Sequence, residues 1–225
     1  SLLNSPRSFL VSSPLVSATN SVLDRLVPSF PFPTEEDDHC ESPLEAYEDI
    51  TPFLNKLCRD DKSSLRIYDP YYCDGAVVRN LALLGFSNVE NQNEDCYKVW
   101  SEKQFDVLVT NPPYSDDHIE KLVVFASQSN RPWFLLLPQW VHKKDYYTAA
   151  TTNLHPFYLV PRKRYVYLPP RDFRESRKSD VHKKSSPFVS MWYCWGGAVK
   201  NEELIREFHR SNNGTCELAR SKSAV

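Results

Sequence analysis

Glycine is scarce in this chain, at 5 of 225 residues, about a third of the usual share. Glycine-rich phosphate cradles therefore have little to work with, and neither G-x-G-x-x-G nor G-x-x-x-x-G-K-[ST] occurs anywhere. A P-loop NTPase is excluded and a dinucleotide dehydrogenase is disfavoured. The six cysteines (Cys40, Cys58, Cys73, Cys96, Cys194 and Cys216) form no C-x-x-C pair, which removes zinc-ribbon and dithiol redox readings. Reduced thiols of an intracellular protein are the simpler account. The six histidines lack ligand spacing, so no metal is expected. No stretch approaches the roughly 18 apolar residues of a membrane span, and no secretory signal is legible. The expectation is an intracellular protein of nucleus or cytoplasm with no membrane partner.

What is present is enough for one substantial core: 41% apolar residues, 13% of all residues being aromatic. The net charge of -2 conceals a segregation, because Glu35 to Asp49 carries eight acids and no Lys or Arg, whereas Arg162 to Lys184 carries nine bases against three acids. Residues 1–37, rich in Ser, Pro, Leu and Val before the acids begin, are expected to form a partly flexible extension and acidic linker, with a short helix near Val22 to Val27. Ser42-Pro43 followed by Glu45 has the pattern of a capped helix start, and that helix should run to about Cys58. Beyond it, strand patterns at Leu65–Tyr68, Val89–Asn91, Phe105–Thr110, Trp133–Leu137, Tyr158–Val160, Tyr165–Leu168 and Phe188–Trp195 alternate with helical periods over Ala76–Leu84 and His118–Ser127, and Cys96–Val99 is an element of unspecified type. Strands separated by helices, with continuous apolar runs in the centre, predict an α/β fold: a mostly parallel sheet with helices on both faces. Residues 38–210 would form this domain, with a basic insertion over about 161–186, and 211–225 a polar tail after a helix at Asn201–His209. Such sheets bind ligands beyond the carboxyl ends of their strands.

Two motifs fall at those ends. Leu65 to Gly75 (LRIYDPYYCDG) is a strand, a turn and a helix start, and Asn111-Pro112-Pro113-Tyr114 directly follows the Phe105–Thr110 strand, 36 residues beyond Gly75. The tetrapeptide resembles the Asn/Asp-Pro-Pro-aromatic motif of the Rossmann-like class I S-adenosylmethionine-dependent methyltransferases that modify exocyclic or amide nitrogens, the N6-adenine enzymes among them. The resemblance implies that the Asn111 side-chain oxygen and the Pro112 carbonyl accept hydrogen bonds from a target NH2, that Pro113 stiffens the loop, and that the Tyr114 ring stacks on the target. Two preorganised acceptors suit an amine that becomes cationic as the methyl arrives. It also implies that Asp69, Pro70, Tyr71, Asp74 and Gly75 form the cofactor turn, with Tyr71, Tyr72 and Cys73 in places usually held by smaller residues. Asp95 would accept from the cofactor adenine, with Asn93 or Glu94 at the ribose, and Ser42-Pro43 would approach its methionine end. The resemblance covers roughly Asp38 to Trp195.

The last third suggests the substrate. Arg162, Lys163 and Arg164 precede Tyr165 and Tyr167, and bases interleaved with aromatics suit phosphate neutralisation and stacking of an unpaired base. Gln139 and Trp140 would stand at the mouth of the site, and Ser186, Pro187 and Phe188 lead into the last strand beside it. With no separate target-recognition domain legible, RNA is preferred over DNA. The expected function is N6-adenine methylation of nucleic acid. Alternatives are a DNA N6-adenine enzyme, a protein glutamine N-methyltransferase, and a catalytically silent RNA-binding subunit. An activator subunit is a further partner to consider.

Overall fold

The computed structural model describes residues 30–32, 40–58, 61–168, 189–197, 200–211 and 214–225. The helix expected near Val22 to Val27 and the residues Ser186, Pro187 and Phe188 lie outside them, as does most of the 161–186 insertion. In chain order the main elements are α1 (Leu44–Leu57), β1 (Ile67–Tyr68), α2 (Ala76–Leu83), β2 (Val89–Glu90), α3 (Cys96–Val99) and β3 (Val107–Thr110). There follow α4 (His118–Gln128), β4 (Trp133–Pro138), α5 (Asp145–Thr151), β5 (Phe157–Pro161), β6 (Ser190–Trp195), α6 (Asn201–Ser211) and β7 (Cys216–Ala219).

The seven strands form one mixed sheet in the order β2-β1-β3-β4-β6-β5-β7. The first four are parallel, and β6 pairs antiparallel with both β4 and β5, as β7 does with β5. The expectation of a mostly parallel sheet therefore holds for the first half only. The antiparallel half follows from its connections: β7 returns beside β5 by way of α6, and β6 slots between β4 and β5.

Alternation along the strands builds a core on each face. One contains Ile67, Val107, Val109, Phe134, Leu136, Phe157, Leu159, Trp192 and Cys194, covered by α1, α2 and α6; the other contains Tyr68, Leu108, Trp133, Leu135, Leu137, Tyr158, Met191, Tyr193 and Trp195, covered by α4 and α5. Each strand thus gives successive side chains to opposite layers, which is why its apolar run is continuous. The helices show the matching stripe: α1 buries Ala46, Tyr47, Ile50, Phe53 and Leu54, and α4 buries Ile119, Leu122, Val123 and Ala126. Phe53 stacks on Phe134 at 5.6 Å and meets Phe157 edge-on at 5.4 Å. The Trp192 indole N–H donates to the Ala46 carbonyl at 3.0 Å, tying β6 to α1.

Three local expectations are corrected. The helix start moves by one residue: Pro43 occupies the N-cap position of α1 without a side-chain cap, and the Ser42 hydroxyl bonds instead to Tyr47. The Ser42 carbonyl accepts from Asn80 Nδ2 at 3.1 Å. Tyr165 to Leu168 is no strand, making a single bridge from Leu168 to Glu41. The terminal segment is no mere tail, since Cys216–Ala219 pairs along β5 as the sheet's edge strand.

Gly196 sits where β6 passes under α6, and a Cβ there would lie 2.4 Å from Leu204 Cδ1 and 3.3 Å from Lys200 Cβ. Gly196→Ala should therefore cost about 1–3 kcal/mol through overpacking. Urea denaturation measures this, and unchanged stability would mean that α6 is not seated on the strand end.

Candidate functional site

The strand order reverses between β1 and β3: from β1 the chain moves outward to β2, then returns to the other side as β3. Such a switch point leaves a crevice beyond the carboxyl ends of the two strands. A cavity of ≈ 370 Å³ lies there, within reach of both conspicuous motifs.

Asp69 follows β1 and is 5% exposed. Its Oδ1 accepts from Thr110 Oγ1 at 2.6 Å and from the Tyr71 backbone N–H at 3.1 Å, so the last residue of β3 is tied to the first residue after β1. Burial pushes the Asp69 carboxyl up to about 7, the two hydrogen bonds pulling the other way. Gly75, at φ 68°, is the N-cap of α2 and turns the chain into that helix through the left-handed region that glycine adopts without penalty. Tyr71 and Tyr72 do not fill the cavity. Tyr71 stands edge-on to Tyr97 and His118, its hydroxyl 3.4 Å from that of Tyr97 and 3.3 Å from the His118 carbonyl. Tyr97 stacks on His118, bonds to its Nδ1, and receives Lys121 Nζ over its ring at 4.9 Å. Burial raises the Tyr97 hydroxyl to about 12 and pushes Cys73 to about 12 as well, so both stay protonated near neutrality. From the extension, Phe32 closes part of the wall and Phe30 lies 6.3 Å from the Tyr72 ring.

Of the residues singled out in the sequence, Ser42, Asp69, Pro70, Tyr71, Gly75 and Asp95 line this one cavity, joined by Asn111 and Pro113. Pro112 is buried beside it. Tyr114 turns toward β4, its hydroxyl 2.8 Å from Asn111 Oδ1 and 3.3 Å from the Leu136 carbonyl. Asp95 caps α3 through the Tyr97 N–H and pairs with Lys98 at 3.0 Å.

Other residues stand off the wall. Pro43 starts α1, and Asp74 pairs with Arg79 at 3.5 Å. Asn93 is not on the wall, whereas Glu94, named as the alternative to it, is, and so is Asn91, a residue that sequence reading missed. Asn91 directly follows β2, which pairs in parallel with β1, and Asp69 N donates to Glu90 O at 3.0 Å. Two residues that follow neighbouring parallel strands must lie side by side, and that register was the available signal. Asn91 Nδ2 donates to the carbonyls of Asp69 and Tyr71, at 3.1 and 3.3 Å. Among the described residues its buried Oδ1 has no hydrogen-bond partner. Tyr97 and His118 were also missed as wall residues: Tyr97 closes the stretch Glu94-Asp95-Cys96-Tyr97 but was given no role, and His118 was counted only among the histidines without ligand spacing.

The expected substrate residues occupy the same edge of the sheet, farther along. Gln139 and Trp140 follow β4 in a 3-10 turn, and Trp140 is exposed with Lys144 Nζ 5.1 Å from its ring. Because β5 runs parallel to β4 through its antiparallel pairing with β6, Arg162, Lys163 and Arg164 leave the sheet at the cavity edge. They are three strand spacings from β3, about 14 Å. Arg162 is engaged by Glu217 at 3.4 Å, and all three are exposed. Among the described residues, no helix is long and apolar enough to cross a membrane.

No protein-family model matches the chain, and no curated protein matches it significantly.

The Asp69 carboxyl titrates higher in the folded protein than in the unfolded chain, where 3.8 is ordinary. The native state therefore holds the extra proton between about pH 4 and 7, and stability is lost as pH rises through that window. Asp69→Asn should gain on the wild type by about 2–3 kcal/mol between about pH 5 and pH 8. Denaturant titration at both values measures this, and a constant difference would show that burial does not strain this group.

Proposed function

We propose that the protein is an S-adenosylmethionine-dependent methyltransferase acting on the N6 amine of adenine in nucleic acid, RNA in preference to DNA. The observation that carries this reading is the convergence of Asn111 with Asp69, Gly75 and Asn91 on one cavity at the strand-order reversal. A loop rich in proline would close a strand equally well anywhere in the sheet. Only here does its amide face the same space as a buried carboxylate and an unsatisfied acceptor.

The wall suits that cofactor in five respects. Its volume is within the range of small-molecule sites. Asn91 Oδ1 lacks the donor that a ribose hydroxyl or adenine amine would supply. The rings of Tyr71, Tyr97 and His118 give the wall an aromatic edge for a purine to pack against. Six carboxylates (Glu41, Asp69, Glu94, Asp95, Asp116 and Asp117) line the wall, and four of them have a cation of their own, so that the unpaired charge of Asp69 and Asp116 among the described residues favours a ligand with positive charge over the pyrophosphate of a dinucleotide. The N-terminus of α2 behind Gly75 is the natural place for the ligand's own carboxylate. When bound, the cofactor supplies a methyl group made electrophilic by its sulfonium.

The chain's own residues then position the acceptor. An amide oxygen has two lone pairs. Tyr114 uses one on Asn111, which fixes the amide's direction, and the other accepts from the target amine. The buried, ring-locked Pro112 holds its carbonyl as the second acceptor, and both favour the charge that develops on nitrogen. Tyr114 does not line the cavity, and its part in this reading is to hold Asn111. An acid-lined cavity repels phosphate while Lys143, Lys144, Lys163 and Arg164, exposed along the same edge, attract it. Backbone held at the rim with one base inside describes an unpaired or extruded adenine.

Incubation with methyl-labelled cofactor and, separately, total RNA, genomic DNA and protein extract tests the reading. Label should appear as N6-methyladenosine from RNA. Deoxyadenosine label would transfer the proposal to DNA, glutamine label would transfer it to protein, and none would overturn it. Asn111→Ala should lower turnover at least about a hundredfold with cofactor affinity nearly unchanged, and near-wild-type turnover would remove Asn111 from the site. Replacing Lys163 and Arg164 with Ala should weaken RNA binding and reduce its salt slope by about 1.4, at about 0.7 per single-strand phosphate. An unchanged slope would place the phosphates elsewhere.

A further inference from the structure

The cavity's carboxylates differ in one respect: most have a cation. Glu41 is held by Arg79 at 3.0 Å, Glu94 by Lys103 at 2.5 Å, Asp95 by Lys98 at 3.0 Å and Asp117 by Lys121 at 2.8 Å. Asp69 is the most deeply enclosed of the set beside Glu41, and its side chain meets only the Thr110 hydroxyl and the Tyr71 N–H. The titratable groups that face it are Tyr47 from α1, Tyr68 and Tyr71 around the end of β1, Cys73 in the turn and Cys96 of α3. Every one of these is neutral, held so by burial, and among the described residues no Lys, Arg or His forms an ion pair with Asp69. Asn91, on its remaining side, spends its amide donors on backbone carbonyls.

A carboxylate buried without a cation is costly, and the cost falls when a positive charge enters the same low-dielectric space. A ligand of the same shape with one positive charge fewer, keeping only the ammonium and carboxylate that balance one another, brings less relief. Resting on the cofactor reading above, we propose that Asp69 is a specificity-determining counterion, which makes the cavity prefer the sulfonium cofactor to its thioether product, a ligand with the same ammonium and carboxylate but no charge on sulfur. Asp69 selects by net charge, while shape and the Asn91 acceptor, common to both ligands, provide the shared part of the affinity. The exchange of product for fresh cofactor is thereby biased toward the cofactor. Because the carboxyl must be ionised to act as counterion, the preference grows as pH rises from about 6 to about 8.

Calorimetric titration of the full chain with three ligands tests this: S-adenosylmethionine, its amine analogue sinefungin, which is also cationic, and the neutral S-adenosylhomocysteine. At pH 8 both cations should bind at least about tenfold more tightly than the thioether, and Asp69→Asn should bring all three within about threefold while still binding the thioether. A thioether that binds the wild type as tightly as the cations, or a preference that survives Asp69→Asn, overturns the counterion role and leaves the cofactor reading standing. Failure of all three ligands overturns the cofactor reading itself, and the inference with it. If Asp69→Asn does not fold, the wild type decides: its preference should shrink between pH 8 and about pH 5.5, and a constant ratio overturns the proposal.

Discussion

The hydrogen bond from Thr110 to Asp69 joins the carboxyl ends of β1 and β3 at the place where the order of the sheet reverses. Neighbouring parallel strands must diverge there, since β1 leads to a helix on one face and β3 to a helix on the other. The crevice that opens cannot be closed by regular pairing, and the side chains that follow each strand become its floor. A carboxylate placed there is out of water and short of partners, and the Thr110 hydroxyl and Tyr71 N–H satisfy only part of its capacity. The motif residues inherit their positions from that arrangement. Gly75 turns α2 away from β1, Asn111 leaves β3 beside Asp69, and Asn91 arrives from β2 through the same parallel register.

Around this floor the two cores hold the strands rigidly enough for the loop geometry to be specified. β4 and β6 are buried on both faces over six residues each, and their antiparallel pairing runs from Trp133 with Trp195 to Pro138 with Ser190. Aromatic contacts carry much of the contact between layers, from Phe53 on Phe134 to Tyr147 and Tyr158 about Tyr193. Sites mounted on strand ends of this kind keep their geometry better than sites on long loops. The Tyr114 hydroxyl reaching the Leu136 carbonyl shows how that rigidity is passed to Asn111.

Charge is partitioned between floor and rim. Acids concentrate inside the crevice, and the bases that follow β4 and β5 stay in solvent on the same edge of the sheet. A near-zero net charge is thus compatible with two local concentrations of opposite sign, acids within and bases along the same edge. The spatial arrangement explains why overall charge carries so little information about this protein.

Residue order alone determined the α/β class, most element positions to within two residues, and the two motifs that converge on the cavity. Those features are local: period-2 and 3.6 patterns, a glycine after a helix, and prolines after an apolar strand all act over a few residues. The tertiary structure decided the antiparallel half of the sheet, the strand at Cys216–Ala219, and the presence of Asn91 beside Glu94 on the cavity wall. Each depends on which strands lie side by side, and that pairing is set by burial across the whole chain. The same holds for Tyr97 and His118, more than twenty residues apart in sequence yet stacked on one another, and for the Asp69 carboxyl, whose ordinary acidity is lost only because the fold encloses it without a cation.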